Sequence, residues 1–472
     1  MLIIVESPAK AKTIAKIVGN KYLVKASVGH IRSISNDKKT ADGRKMEING
    51  IDIDQDFEAL YVVDDAKKKV VSELKKLAKE SKDGILFATD ADREGEAISW
   101  HLSEVLGVKD KSKVKRLEFH EITKTAIETA IKNPRPLDMN LVQAQKARQV
   151  LDKLVGYKMS PVLWSAMGNY NLSVGRVQTP ALVIVTGREN EIKTFVSSEF
   201  WDIKGLFGQE KEKLKNFVVK NDNPDKSKLK KAVENGFKFT HSKGQKLTKD
   251  IVSEEIVQML TKDMPLDFVV SEIKNTIVKY KAPAPFITST LQQAANSKLG
   301  MNPKVAMQLA QKLYEGIDID GTPTALISYM RTDSVSLSKE FVETARSFIK
   351  SNYPEFLPKT ANTFKSKAKN AQEAHEAIRP VNALITPESL RGKIDNSMWR
   401  LYNMIWRHTI ACQMSEEISE RCTVSLTNSA KDQFSGSTSW VLEQGYKIMW
   451  NQGKINTTSI AQKFDLKSLS NL

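Results

Sequence analysis

Two short, wholly apolar runs constrain this chain most, because each is cut off by a charged turn and followed by helical periodicity. The first is Leu2-Ile3-Ile4-Val5, which ends in Glu6-Ser7-Pro8-Ala9-Lys10 and passes into a helical stretch through Ile14 and Ile17. The second is Gly84-Ile85-Leu86-Phe87-Ala88-Thr89, followed by Asp90-Ala91-Asp92-Arg93-Glu94-Gly95-Glu96 and a helix with Ile98, Leu102 and Val105 as its core face. A strand with no polar alternation is covered on both faces, so the pair predicts an α/β layer. In open α/β sheets the reactive groups collect beyond the carboxyl ends of strands. Glu6 and the acidic cluster at 90–94 both sit at such ends and are expected to converge. Residues 114–121 return to strand, then helix after Phe119-His120-Glu121-Ile122-Thr123, closing this domain with His120 as a structural residue. Residues 36–60 read as a polar insertion.

Asp90, Asp92 and Glu94 stand at alternate positions, and three such carboxylates repel one another unless a cation or a basic neighbour compensates. Mg²⁺ suits them, since it takes oxygen ligands and commonly bridges one or two carboxylates to a phosphate. The plainer reading is an acidic loop at a helix N-terminus, where negative charge is favoured in any case. A second candidate lies in Ala325-Leu326-Ile327-Ser328-Tyr329-Met330-Arg331-Thr332-Asp333-Ser334. In an extended segment residues i and i+2 share a face, which points Tyr329 and Arg331 the same way. A phenol beside a guanidinium is suited to attacking a phosphodiester, the guanidinium offsetting charge that builds on the phosphate. An edge strand carrying a surface Tyr-Arg pair is the alternative.

At 472 residues the chain exceeds one core, and three or four domains are expected. Its net charge of +16 favours a polyanionic partner, nucleic acid ahead of an anionic membrane. No run approaches a membrane span, and the chain opens directly into a strand rather than a signal peptide. Cys412 and Cys422 make neither a disulfide framework nor a four-ligand zinc site, which fits a soluble, reducing, cytoplasmic setting. No Gly-Lys-Thr phosphate loop is present, consistent with chemistry that uses no ATP. Residues 140–164 are helical in period, with Val142, Ala147, Val150, Leu151, Leu154 and Val155 as an apolar stripe; Arg148 and Asp152 lie four apart and on their own read as a surface ion pair. Gly175 and Pro180 mark a turn before a helix at 181–191. Residues 200–275 mix strand and helix, with a solvated Lys-rich loop at 225–231, and Ala282-Pro283-Ala284-Pro285 marks a domain boundary. His375 and Arg379 read as a helix-end pair.

Several of these segments together carry a resemblance. Glu6-Ser7-Pro8-Ala9-Lys10, Gly29-His30-Ile31 and Asp90-Ala91-Asp92-Arg93-Glu94-Gly95-Glu96 resemble the Toprim domain of type IA DNA topoisomerases, and the Tyr329 segment resembles that family's nucleophile motif. Methionine between Tyr329 and Arg331 resembles the bacterial topoisomerase I branch. The stretch from Ala147-Arg148 through Ser160-Pro161-Val162-Leu163-Trp164 resembles the family's single-strand-binding segment, and Leu172-Ser173-Val174-Gly175-Arg176-Val177-Gln178-Thr179-Pro180 another of its signatures. Ala374-His375-Glu376-Ala377-Ile378-Arg379-Pro380 is a further match. The likeness runs from residue 2 to about 450.

The resemblance implies a multidomain α/β and α+β toroid with a hole for DNA beneath an arch. It divides the chain into a Mg²⁺-binding Toprim domain at 1–137, a helical single-strand-binding base segment at 138–199, a β-rich arch at 200–275, a nucleophile domain at 276–385, and the arch return with a short tail at 386–472. It implies that Tyr329 attacks a backbone phosphorus to form a 5′-phosphotyrosine, Glu6 protonates the leaving 3′-oxygen, and Lys10, Arg331 and His375 contact the phosphate. Asp90, Asp92 and Glu94 become the Mg²⁺ ligands. His30, Arg148, Asp152, Arg176, Glu315 and Asp333 become DNA contacts. The implied partner is the single-stranded region of negatively supercoiled DNA, relaxed by a monomer at the nucleoid. The family continues for a long segment after about residue 450, so a 472-residue chain is expected to bind single strands and cleave weakly but to relax plasmid poorly. A Toprim nuclease or primase, and a non-catalytic single-strand-binding remnant, are the alternatives.

Overall fold

The computed structural model describes residues 1–40, 42–81, 83–108, 110–205, 207, 217–218, 237–247, 251–365 and 376–451. The Lys-rich loop at 225–231, His375 and the tail after 451 lie outside the described residues. Two compact units form. The first comprises Met1–Asn190, Ala284–Pro354 and Lys359–Cys412; the second comprises Glu191–Pro283, Glu355–Pro358 and the chain from Gln413 onward.

The first unit is built on the two apolar runs. Strand β1 (Leu2–Val5) is buried at all four residues and leads into helix α1 (Pro8–Val18), started by Ser7 as N-cap and Pro8 in its first turn. Strand β2 (Leu23–Ala26), helix α2 (Lys68–Glu80), strand β3 (Ile85–Phe87), helix α3 (Arg93–Leu106) and strand β4 (Val114–Arg116) follow. The four strands form one parallel sheet in the order β2-β1-β3-β4, with Leu2 paired to both Leu23 and Ile85. The connection from β1 to β2 and the later return at β3 run to opposite sides of β1. The β1/β3 boundary is therefore the switch point, where such sheets open a crevice at their carboxyl ends. Ile98 and Leu102 pack into the core as expected, with Val105 partly buried beside them. The insertion at 36–60 is less polar than its composition suggests, for Met46, Ile48 and Ile51 are buried around a two-residue strand pairing.

After helix α4 (Lys124–Lys132) comes helix α5 (Met139–Met167), which carries Pro161 inside it, and then helix α6 (Gln178–Thr194). The expected apolar stripe on α5 is core only at its start. Val142 and Gln145 are buried, whereas Leu151 is 46% exposed. No residue of α6 is buried, and Leu182, Val183, Ile184 and Val185 are 62–73% exposed. Periodicity identified the helices, but it does not report whether a neighbour covers the apolar face.

In the second unit, β5 (Ile203–Gly205), β6 (Phe217–Val218), β7 (Phe237–Ser242), β8 (Gln245–Lys246) and helix α7 (Glu254–Thr261) precede the long strand β9 (Val269–Tyr280). The chain leaves this unit between Pro283 and Ala284, inside the proline-rich boundary read from the sequence. It re-enters the first unit through α8 (Thr288–Leu299), α9 (Pro303–Glu315), the hairpin β10 (Ile317–Ile319) and β11 (Thr322–Thr324), α10 (Lys339–Asn352) and α11 (Asn396–Cys412). The return to the second unit comes at Gln413, not near 386, because α11 buries Leu401, Tyr402, Ile405 and Ile410 within the first unit. Strands β12 (Glu417–Thr427) and β13 (Gln433–Glu443) then complete an antiparallel sheet of order β6-β5-β7-β13-β12-β9, with β8 paired to β7.

Candidate active site

The turn after β1 and the turn after β3 meet at the switch point through one side chain. Lys10, 0% exposed, donates to Glu6 Oε1 and to Asp90 Oδ1, each at 2.9 Å. It lies four residues after Glu6 because one turn of α1 carries it back over the end of β1. Burial works against its charge, but Asp90 and Glu6 outweigh that and hold Lys10 above its ordinary value. Burial also pushes Glu6 up to about 8, against the pull of Lys10 and helped by the neighbouring Asp90 carboxylate. Its Oε2 is buried without a partner. A glutamic acid in this state carries a proton at neutral pH.

Asp92 caps α3, its Oδ1 accepting from Gly95 N at 2.8 Å. Its other oxygen, Oδ2, accepts from the Tyr329 hydroxyl at 2.5 Å and lies 3.8 Å from Arg331 Nη1. Tyr329 and Arg331, two residues apart, thus converge on one carboxylate oxygen, 237 residues from Tyr329 in the chain. The segment that carries them is not the extended strand expected, for the chain bends at Met330 and Arg331. Ile327 makes an isolated bridge to Pro380, and Tyr329 N donates to His120 O at 2.8 Å. Ser328 Oγ donates to Ala377 O, and Thr288 Oγ1 to Met330 O. So fixed, Tyr329 is 2% exposed, while the Arg331 side chain is 57% exposed. Burial first, then Asp90 and Asp92, push the Tyr329 phenol far above its ordinary value.

An open cavity of about 1630 Å³ faces these groups. Glu6, His30, Asp90, Asp92, Glu94, Arg148, Arg331 and Asp333 line it; Tyr329 and Lys10 stand behind its wall. Besides the protonated Glu6, six carboxylates line it against four guanidiniums, so a phosphate needs a cation with it. Asp90, Asp92 and Glu94 do not converge on a point, and among the described residues no three His, Cys, Asp or Glu side chains form a metal-holding group. Asp90 turns to Lys10, Asp92 to Tyr329, and Glu94 to His30 Nε2 at 3.4 Å and Gln145 Nε2 at 3.2 Å. The donor set still fits Mg²⁺, which is commonly held by one or two carboxylates plus substrate phosphate and water.

Other expected contacts are engaged elsewhere. Arg148 is 3.8 Å from Asp152, and Arg176 Nε donates to Asp152 Oδ1 at 2.7 Å; neither Asp152 nor Arg176 lines the cavity. Glu315 accepts from Gln311, and the extra residues after it form the β10–β11 hairpin. Arg379 is buried between Glu376 and Glu121, a partner with no signal in the sequence.

The residues that sequence reasoning missed are the supports. Arg116, fully buried at the end of β4, donates to the carbonyls of Phe87, Thr89 and Asp90 and to Glu96 Oε2. Glu96, also 0% exposed, takes two further bonds from Arg135 and one from Asp138 N. Burial raises Glu96, but Arg135 and then Arg116 outweigh it and hold the carboxyl below its ordinary range. Gly95 admits no side chain, because a Cβ there would stand 2.1 Å from Asp90 O.

This chain resembles known proteins along nearly all its length. The Toprim domain family matches residues 1–122, and the DNA topoisomerase family matches 136–468. "DNA topoisomerase 1" of Rickettsia felis is 44% identical over 438 residues, covering 91% of this chain and 52% of that protein. The protein of the same name from Campylobacter jejuni is 43% identical, covering 90% of this chain and 56% of its own. Among solved structures, full-length topoisomerase I from Thermotoga maritima superposes with a TM-score of 0.77 at 35% identity, covering 98% of this chain and 69% of that one. The chain spans about half the length of the curated relatives it matches.

Proposed function

Because the chain belongs to the bacterial DNA topoisomerase I family, of type IA, we propose that it cuts one DNA strand through a transient 5′-phosphotyrosine and rejoins it. The observation that carries this reading is the meeting of Tyr329, Arg331 and the Toprim carboxylate Asp92 at one oxygen. Tyr329 Oη attacks the phosphorus and its proton passes to Asp92. The bond from phosphorus to the 3′-oxygen breaks, and Glu6, protonated at neutral pH, gives that oxygen its proton. Arg331, exposed at the cavity wall, holds the phosphate. Lys10 orders Glu6 and Asp90 from behind, and its contact with phosphate follows only when Asp90 moves aside. Rejoining runs the same steps backward. One phosphodiester replaces another, so no ATP is required. Asp90, Asp92 and Glu94 are the groups that would hold Mg²⁺, which when bound neutralises and positions the phosphate. The substrate is the single-stranded region of negatively supercoiled DNA, relaxed by a cytoplasmic monomer. Among the described residues no helix is long and apolar enough to cross a membrane.

The test is incubation with single-stranded DNA labelled at either end, followed by denaturing electrophoresis. A 5′-phosphotyrosine retains the 3′-labelled fragment on the protein and frees the 5′-labelled one. Cutting without an adduct would favour the Toprim nuclease, and binding without cutting a non-catalytic binder.

Two further outcomes are expected. Alanine at Asp90 and Asp92 together should impair rejoining more than cutting, and calorimetry should show weakened Mg²⁺ binding; unchanged binding would place the metal elsewhere. The logarithm of affinity for single strands should fall with log salt by about 0.7 per phosphate contact. Arg148→Ala should flatten that slope by roughly one contact, whereas an unchanged slope leaves Arg148 as only the partner of Asp152.

A further inference from the structure

Behind the nucleophile lies a second tyrosine that the chemistry above does not use. Tyr314, at the end of α9, is fully buried, and its hydroxyl has no hydrogen-bond partner. Its ring meets that of Tyr329 edge to face, with centroids 5.2 Å apart and planes at 61°. Lys10 Nζ lies 5.5 Å from the centroid of the same Tyr314 ring and 5.0 Å from that of Phe119. The ammonium is therefore boxed by two aromatic rings, by the Glu6 carboxyl oxygen and by the Asp90 carboxylate.

The backbone holds Tyr314 firmly in this place. Thr13 Oγ1 of α1 donates to Glu315 O at 2.8 Å, and Leu326 N of the nucleophile segment donates to Leu313 O at 2.7 Å. A Cβ at Gly316 would stand 2.3 Å from Thr13 Oγ1, so α1 and the end of α9 approach as closely as a glycine allows. One turn thus connects the element that carries Lys10 to the segment that carries Tyr329.

We propose that Tyr314 is a positioning residue for strand cleavage, its ring seating the Lys10 ammonium against Glu6 and Asp90 while fixing the ring of Tyr329. The inference rests on the cleavage reading above. The ring performs this task and the hydroxyl does not. An aromatic face attracts a desolvated cation, and two rings favour the edge-to-face arrangement. A buried hydroxyl without a partner only costs stability. Tyr314 does not line the cavity, so it acts through its two neighbours and not on DNA.

The experiment compares Tyr314→Leu, which keeps bulk without a π face, with Tyr314→Phe, which keeps the ring without the hydroxyl. At saturating single-stranded DNA, the Leu variant should form adduct about tenfold more slowly, with a Kd for the strand within about twofold of the parent. Tyr314→Phe should restore the rate to within about twofold. An unchanged rate in the Leu variant would overturn the proposal. So would a Phe variant as slow as Leu, which would assign the role to the hydroxyl, or a Leu variant whose DNA affinity or melting falls in step with its rate, which would make Tyr314 core filler. A readout independent of activity comes from ¹⁹F NMR of the 3-fluorotyrosine-labelled chain, with the Tyr329 resonance assigned by its loss in Tyr329→Phe. That resonance should keep its position in the Phe variant and shift or broaden in the Leu variant. If the parent chain forms no adduct, the cleavage reading fails, and an unmoved resonance in the Leu variant would separately overturn the positioning role.

Discussion

Tyr329→Phe is expected to form no covalent adduct with DNA, its rate falling by at least about a thousandfold, while affinity for single strands stays within a few-fold. The substitution removes one oxygen, and that oxygen is the atom that would bond to phosphorus. Little else depends on it. The ring keeps its edge-to-face contact with Tyr314, and the segment stays fixed through Tyr329 N, Ser328 and Thr288. Asp92 loses a hydrogen bond but retains Gly95 N and the nearby Arg331. Binding and chemistry should therefore separate cleanly. Adduct formation by the Phe variant would move the nucleophile to another residue.

Arg116→Leu is expected to destabilise the first unit by about 3–5 kcal/mol, read as a shift in its denaturant midpoint. Arg116 is wholly enclosed and spends its donors on three carbonyls, the Thr89 hydroxyl and Glu96. Leucine fits much of the volume but leaves those acceptors buried and unmet, and leaves Glu96 with Arg135 alone as its charge partner. The carbonyls in question belong to Phe87, Thr89 and Asp90, so the site should loosen along with the fold. Glu96 adds a pH dependence of known sign. Its folded value is depressed, so it contributes stability that is present above the ordinary carboxylate range and lost as pH falls through its folded value. A variant that unfolds at the parent midpoint would show that water replaces the guanidinium without penalty.

The convergence of Glu6 with the turn after β3 was legible because it needs only topology: parallel strands place their ends on one side of the sheet. Tyr329 and Arg331 were legible as a pair, though not as a strand face. Their common target is a carboxylate in another element, and no local period encodes that. Arg116 was not legible at all, since in a Val-Lys-Arg strand of three residues nothing local distinguishes a buried arginine from an exposed one. The apolar stripe on α5 misled for a different reason. Amphipathic period records what a helix is able to bury, and burial depends on a neighbour that the period does not name. The second unit's late return at Gln413 has the same cause, as the apolar period of α11 does not say which unit buries it.

Enclosure of Tyr329 also bears on how the protein meets its substrate. Tyr329 is 2% exposed, so on the proposed cleavage reading its hydroxyl would reach a phosphorus atom only in a conformation that uncovers it. On that reading, a strand that merely brushes the surface would meet no reactive oxygen. The apparent affinity for a strand about to be cut is then the intrinsic affinity multiplied by the fraction of molecules already open. Selectivity between transient contact and committed cutting would thereby be set by a population, before any base or phosphate had been read.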